Sequence, residues 1–96
     1  MAANGTSISA NVFNVTSSTT AVSILQPNTA RLGASIYNDS TQILYLKCGP
    51  TASSTSYTVQ IPASGYYELP YFYIGLVSGL WASANGSARV TEFIGA

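Results

Sequence analysis

The sequence predicts an all-β fold: a single-domain antiparallel β-sandwich or small barrel of about seven or eight short strands. Turn-forming residues recur at intervals of roughly eight to twelve residues, with short apolar runs between them. One run, residues 57–61, alternates apolar and polar residues as a half-buried strand does, with Tyr57, Val59 and Ile61 expected on the core side. No window carries the apolar stripe of an amphipathic helix.

The apolar runs locate the individual strands. They are expected at residues 12–15, 20–25, 31–37, 43–48, 57–61, 66–69, 73–81 and 88–93. Alternation within the run 31–37 predicts one side with Leu32, Ala34 and Ile36 and the other with Arg31, Gly33, Ser35 and Tyr37. The polar turn at residues 38–41 separates this run from the next and predicts a hairpin. The run 43–48 is apolar on both faces apart from Lys47, which predicts a central strand covered on both sides.

Residues 65–93 are expected to organise the rest of the chain, because they contain its only tryptophan and three of its six charges. Within them, Asn85-Gly86 lies between a run ending at Trp81 and the run 88–93. Asn-Gly is typical of a type I′ turn, so we predict a closing hairpin with Trp81 and Phe93 covered. Gly75 and Gly79 predict a bulge or a close approach of the backbone.

The N-terminal residues 1–19 are predicted to be an arm or a first short strand, and residues 20–96 the β-sandwich domain. The arm is rich in Ser, Thr and Asn and has little apolar surface to offset the entropy of ordering it. It is therefore expected to be mobile in the free monomer. One interpretation is a frayed terminus. The other is a strand added to a partner's sheet edge, with Val12 and Phe13 at the interface.

Charge is scarce, at 6% of residues, and three basic residues balance three acidic ones. This excludes the basic footprint expected for nucleic acid and the basic cluster expected for anionic lipid, so neither nucleic acid nor membrane is a predicted partner. A surface so poor in charge promotes association. Either it is covered by protein partners, including further copies of the chain in a homo-oligomer, or abundant Ser, Thr and Asn hydrate it.

The chemistry of the side chains argues against an enzyme. Histidine is absent, and one cysteine and three carboxylates (Asp39, Glu68 and Glu92) are too few for a convincing metal site or a nucleophile with its base. No phosphate-binding glycine motif occurs. We predict no catalytic residue, no metal site and no cofactor.

A second set of residues is expected to stabilise the fold. Arg31, Lys47 and Arg89 are predicted to pair with the three carboxylates, because so few charges are expected to have specific partners. The structural candidates are Trp81, Asn85, Gly86, Arg31, Arg89 and Glu92.

The aromatic run Tyr66, Tyr67, Tyr71, Phe72 and Tyr73 supports three interpretations. Tyrosine is favoured at protein interfaces, because it buries a large area and keeps a polar hydroxyl. The same rings would serve to stack on sugars. Alternatively, alternate rings fill the core and the others merely favour strand.

The N-terminus has neither the charged nor the apolar region of a signal peptide, and apolar runs are far shorter than a membrane helix needs. We expect a soluble protein made in the cytosol. Cys48 is the only cysteine, so no intrachain disulfide forms and the redox compartment is undetermined.

Residues 31–93 resemble a short β-domain of virion structural proteins of tailed bacteriophages. The matching segments are Ile36-Tyr37-Asn38-Asp39-Ser40, Leu44-Tyr45-Leu46-Lys47 with Gly49, Tyr57-Thr58-Val59, Gly65-Tyr66-Tyr67-Glu68-Leu69-Pro70, Gly75, Gly79-Leu80-Trp81, and Gly86-Ser87-Ala88-Arg89-Val90-Thr91-Glu92-Phe93. They extend over about two thirds of the chain and leave out its first thirty residues.

This resemblance implies a non-enzymatic virion component, made in the cytoplasm of the bacterial host. The expected role is that of a capsid cement or decoration protein, which binds and stabilises the assembled shell, with the major capsid protein as partner. The alternatives are a neck or tail structural protein and, from the tyrosine run, a carbohydrate-binding receptor module.

Overall fold

Short apolar runs between turn residues form eight β-strands in the computed structural model, which describes residues 7–70 and 73–95. They are β1 (Ser7–Thr16), β2 (Val22–Leu25), β3 (Arg31–Asp39), β4 (Leu44–Cys48), β5 (Val59–Ile61), β6 (Tyr66–Glu68), β7 (Val77–Trp81) and β8 (Ser87–Gly95). Four of them form sheet A, in the order β1-β8-β3-β6, and four form sheet B, in the order β2-β7-β4-β5. All pairings between these strands are antiparallel. The predicted all-β sandwich is thereby confirmed.

Strands adjacent in sequence mostly lie in opposite sheets. Of the connections between the eight strands, only that from β4 to β5 joins neighbours in one sheet. Both predicted hairpins are therefore wrong, since β3 and β4 lie in different sheets, as do β7 and β8. At the second turn only Gly86 has a positive φ, of 69°, whereas a type I′ turn needs two such residues. These turns cross between the layers and bring inward-facing side chains of both strands into one core.

The core lies between the sheets and consists of small and medium aliphatic groups around one tryptophan. Its members are Ile24, Leu25, Ala34, Ile36, Leu44, Leu46, Ile61, Leu69, Val77, Trp81, Ala88 and Val90. Gly79 permits the close approach expected of it, because a Cβ there would lie 3.0 Å from Leu44 Cδ1 and 3.2 Å from Ile24 Cγ1. Gly75 likewise leaves room for the ring of Tyr73, which a Cβ would meet at 2.8 Å.

Asn38 ties the two sheets together from a fully buried position in β3. Its Nδ2 donates to the carbonyl oxygens of Gln42 at 2.7 Å and Ile61 at 2.9 Å, both on the sheet B side. Its Oδ1 accepts hydrogen bonds from Trp81 Nε1 at 3.0 Å and Ser40 Oγ at 2.8 Å. The sequence had indicated a polar turn at this residue. Instead, one amide satisfies polar groups from three segments of the chain.

Arg31 and Glu92 form a buried ion pair across β3 and β8. The distance from Arg31 Nε to Glu92 Oε2 is 2.8 Å, and the two residues are 1% and 7% exposed. The guanidinium also donates to the backbone oxygens of Gly75 at 2.9 Å, Tyr73 at 3.2 Å and Gln26. The cation is therefore fully surrounded by acceptors, as a buried charge requires.

A register shift between Arg31 and Gly33 is what turns this guanidinium inward. Simple alternation had placed Arg31 on the face opposite Ala34 and Ile36, and this is wrong. The bulge adds one residue to β3, so Arg31 and Ala34 both point into the sandwich.

The other predicted ion pairs are partly confirmed. Arg89 Nε lies 2.7 Å from Asp39 Oδ2, in an exposed pair. The prediction is wrong for Lys47, whose Nζ donates to Ser56 Oγ at 2.7 Å. Glu68 accepts a hydrogen bond from the hydroxyl of Tyr66 instead of pairing with a cation.

Strand β4 is central in sheet B, as predicted, but is covered on one face only. Leu44 and Leu46 are fully buried, while Tyr45 and Lys47 on the other face are half-buried. A sandwich of two layers has no third layer to cover this outer face. Tyr57 belongs to the same outer side, with its ring centroid 5.2 Å from that of Tyr45. The prediction that Tyr57 lies on the core side is therefore wrong.

The segment interpreted as an arm or first short strand is β1, which pairs with β8 from Ser7 to Thr16. It is thus the first strand of sheet A, and not an arm separate from the sandwich. Its side chains gave little reason to expect order, but hydrogen bonds between its backbone and β8 hold it in the sheet. Residues 1–6 lie outside the described residues.

We expect Asn38→Asp to destabilise the fold by about 3 kcal/mol or more at pH 7, because it replaces the donor facing the Ile61 and Gln42 carbonyls with a carboxylate oxygen. Repulsion from these carbonyls raises the pKa of the introduced carboxyl in the folded state. The loss of stability should therefore be smaller near pH 4, where the carboxyl is protonated and donates one hydrogen bond. Urea unfolding of variant and wild type at both pH values measures this. An equal loss at both would contradict it.

The chain offers a matched comparison of its two ion pairs. Arg31→Ala leaves the buried Glu92 carboxylate unpaired and should cost about 3–5 kcal/mol of unfolding free energy. Arg89→Ala breaks the exposed pair with Asp39 and should cost about 0–1 kcal/mol. Both follow from urea denaturation midpoints. Similar losses in the two variants would show that burial of the first pair has no energetic consequence.

Candidate protein-binding face

The outer face of sheet A is built by strict alternation along its four strands. Val90 and Ile36 point into the core and lie opposite each other, so their neighbours in β8 and β3 point to solvent. The register then brings outward side chains of all four strands together. The outer face of sheet A comprises Ala10, Val12, Asn14, Ser35, Tyr37, Asp39, Tyr66, Glu68, Arg89, Thr91 and Phe93.

Large apolar groups are concentrated on this face. Val12 is 73% exposed and Tyr66 59%, and Phe93 and Tyr37 are exposed to 39% and 37%. These four are half of the large hydrophobic residues that are exposed in the described part of the chain. Tyr37 and Tyr66 are directly opposite each other in the β3–β6 pair. Exposed groups gathered on one face, and not scattered, are what a binding surface requires.

The charges of this face are engaged with neighbours on it. Arg89 Nε donates to Asp39 Oδ2 at 2.7 Å, with both side chains about half exposed. The Tyr66 hydroxyl donates to Glu68 Oε2 at 2.7 Å. That hydrogen bond, helped by the negative charge of Glu68, raises the pKa of the Tyr66 phenol above its ordinary value. The face is consequently aromatic, with one ion pair and with one further carboxylate, Glu68, that accepts a hydrogen bond from a neutral phenol.

The aromatic run divides between this face and the core. Tyr66 is on the outer face, whereas Tyr67 is half-buried and packs against the core, where burial raises the pKa of its phenol. Tyr73 also packs against the core, and its hydroxyl donates to Leu76 O at 2.7 Å. Tyr71 and Phe72 lie outside the described residues. Two of the proposed interface tyrosines are therefore partly buried and pack against the core.

The two interface candidates of the N-terminal segment lie on opposite sides of β1. Val12 is opposite Thr91 and belongs to the outer face. Phe13 is opposite the buried Val90 and faces inward, yet it is 36% exposed because β1 is at the edge of the sheet.

Tyr37 and Phe93 were not among the proposed interface residues, and the expectation that Phe93 would be covered is wrong, since it is 39% exposed. They come from β3 and β8, far from the aromatic run in sequence. The signal was present, since alternation within residues 31–37 already placed Tyr37 on the side opposite Ile36.

Asn85 and Gly86 have structural roles in the loop between β7 and β8. Asn85 Oδ1 accepts hydrogen bonds from the backbone N and the hydroxyl of Thr41, at 3.0 and 3.1 Å, and so joins two crossing loops. A Cβ at Gly86 would lie 2.2 Å from the carbonyl oxygen of Asp39. Only glycine allows the loop to pass so close to the end of β3.

Within residues 7–70 and 73–95, nowhere do three or more carboxylate or thiol groups come together to hold a metal ion. This part of the chain also has no helix long and apolar enough to cross a membrane. Comparison with protein-family models, with curated proteins and with solved structures gives no match for the chain.

We expect Tyr66 to ionise at lower pH in Glu68→Gln than in wild type, because the change replaces the charged carboxylate acceptor, which raises the pKa of the phenol, with a neutral amide oxygen. The raised folded pKa adds stability below the ordinary tyrosine pKa, and this is lost as pH rises through the folded value. Resolved NMR titration of the Tyr66 ring tests this, with Tyr73 as internal control. An unchanged Tyr66 midpoint would contradict the assignment.

Proposed function

We propose that the chain is a non-enzymatic virion structural protein, resembling a phage capsid cement or decoration protein, that binds and stabilises the assembled shell. The outer face of sheet A is its proposed contact with the shell. The observation that carries the proposal is the concentration of Val12, Tyr37, Tyr66 and Phe93 on one sheet face, where Arg89 pairs with Asp39 and Glu68 accepts a hydrogen bond from Tyr66.

The physical argument concerns the cost of desolvating this face. Covering an unpaired charge would lose its hydration, whereas Arg89 and Asp39 keep each other as partners when water is removed. Tyrosine adds a large contact area with little loss of side-chain entropy. Covering this face with a protein surface of matching shape is therefore more favourable than leaving it exposed to water.

The buried polar groups of the protein are not available to a ligand. The Arg31 guanidinium and the Asn38 amide are used up in internal hydrogen bonds, and both lie between the sheets. The outer face of sheet A presents hydrophobic area and hydroxyl groups to a ligand. Both are typical of a surface that binds other molecules.

The virion assignment rests on the resemblance of residues 31–93. Three of the segments that carry it supply residues of the outer face: Asp39 from the first, Tyr66 from the tyrosine segment and Arg89 from the last. The resemblance and the candidate face therefore share residues of β3, β6 and β8, while Val12 of β1 lies outside the resemblance. The shared residues favour a role in contact with other virion proteins.

A carbohydrate-binding module is the second candidate. Tyr37 and Tyr66 are adjacent exposed rings, and the carboxylates of Asp39 and Glu68 lie on the same face. Rings that stack on a sugar and carboxylates that accept its hydroxyl hydrogens form the usual elements of such a site.

We expect the protein to co-purify with assembled particles and to bind isolated shells. The double variant Tyr37→Ser/Tyr66→Ser should bind shells at least about tenfold more weakly, because it removes two adjacent aromatic contacts of the face. Tyr57→Ser is the matched control, since Tyr57 is 39% exposed on the outer side of sheet B. Co-sedimentation with shells measures both.

The outcomes separate the candidates. A copy number close to that of the shell protein supports cement, and a small fixed number supports a neck or tail ring. Glycan-array binding by the isolated protein, without shell binding, would replace the proposal by the carbohydrate module. Equal loss in the double variant and in Tyr57→Ser would reject the outer face of sheet A as the contact.

A further inference from the structure

Strand β1 leaves one long backbone edge open. Among the described strands it pairs with β8 only, on one side, and it is ten residues long. The other outer strands are much shorter, with four residues in β2 and three each in β5 and β6. Short edges limit unwanted pairing, whereas a long regular edge invites it.

The register identifies which groups of β1 face outward from the sheet. Ser17 N donates to Gly86 O at 3.1 Å, one step beyond the end of the strand. In an antiparallel ladder alternate residues bond to the same neighbour, so odd-numbered residues of β1 bond to β8. The N–H and C=O groups of Ala10, Val12 and Asn14 therefore point to the open edge.

This edge lacks the usual devices against pairing. The sequence of β1, SISANVFNVT, has no charged residue and no proline. The register with β8 is regular from Ser9 to Thr16, and the one irregularity lies between Ser7 and Ser9. Val12, in the middle of the strand, is the most exposed large hydrophobic residue of the described chain.

We propose that β1 of a second copy of this chain pairs with this edge, antiparallel, about a twofold axis at Val12. The argument is one of matching. A ten-residue uncharged edge needs an edge of similar length, and β1 is the only described one that the chain itself supplies. An isologous twofold contact satisfies both copies at once, and the zero net charge of the chain adds no repulsion between them.

The position of the axis follows from overlap. An axis at Val12 places residue 10 opposite residue 14 and residue 11 opposite residue 13, and it overlaps residues 8–16. Ala10, Val12 and Asn14, whose backbone groups face outward, then form the hydrogen-bonded pairs. The two Val12 side chains meet on the outer face, and the two copies of sheet A become one sheet of eight strands.

Val12→Lys tests the contact, because the twofold axis would set two lysines directly opposite each other. Sedimentation equilibrium over a concentration series should give a wild-type dimer and a dissociation constant raised roughly tenfold or more in the variant. Ala63→Lys, in the exposed turn before β6 at the far edge of sheet A, adds the same charge and should leave dimerisation unchanged. A monomeric wild type, or a Val12→Lys dimer as tight as wild type, would overturn the proposal.

Cysteine cross-linking tests the register independently, in a Cys48→Ala background. Val12→Cys should form an intermolecular disulfide, because hydrogen-bonded antiparallel partners have Cα atoms about 5.5 Å apart. A mixture of Asn11→Cys and Phe13→Cys proteins should cross-link too. Phe13→Cys alone should not, since its two copies would be offset by two residues, about 8 Å apart. Cross-linking of Phe13→Cys alone as fast as Val12→Cys would overturn the axis at Val12.

This inference does not depend on shell binding. Wild-type dimers that fail to bind shells would leave the β1 contact standing and reject the proposed function. Shell binding by a protein that is monomeric would do the reverse.

Discussion

The side-chain amide of Asn38 is the constraint on which the two-sheet arrangement depends. Nearly every connection in this chain crosses from one sheet to the other, so the layers must be held in one relative position. Hydrophobic contacts alone are not directional and allow the layers to slide. Asn38 sits in β3 of sheet A and bonds to Trp81 in β7 and to Ile61 in β5, both in sheet B. These bonds are fixed in direction and fully buried, so they set the register of one layer on the other.

The Arg31–Glu92 pair does the same work at the other end of β3. It joins β3 to β8 within sheet A and, through the guanidinium, holds the backbone around Gly75 that leads into β7. Two polar groups thus fix both ends of one strand, and the aliphatic core fills the space between. Of the two ion pairs, Arg31–Glu92 is buried where it helps to specify the fold, and Arg89–Asp39 lies on the face proposed to bind protein.

What the sequence could predict was local, and what it missed was long-range. Alternation and turn residues located most strands and the fold class, because side-chain period and turn chemistry depend on near neighbours. They did not reveal which strands share a sheet. The turn at Asn85-Gly86 was mistaken for a hairpin because its residues suit one, while Trp81 and Val90 required a crossing to reach the same core. Alternation also failed at Arg31, where one bulge residue reverses the face. The outer face of sheet A was found only in part, since Tyr37 and Tyr66 are neighbours through register and not through sequence.

The edge and the face that we propose as contacts are physically connected. Val12 belongs to both, as the central residue of the β1 edge and as the most exposed large hydrophobic residue of the outer face. Pairing two copies at β1 would therefore place their outer faces side by side on a single sheet, pointing in the same general direction. A shell that presents the same surface repeatedly would meet both faces, and the second contact would form at the high effective concentration set by the first. A face of modest area on a domain of 96 residues would then suffice for firm attachment. The open edge of β1 thus gives this small domain of zero net charge a means of acting as a pair.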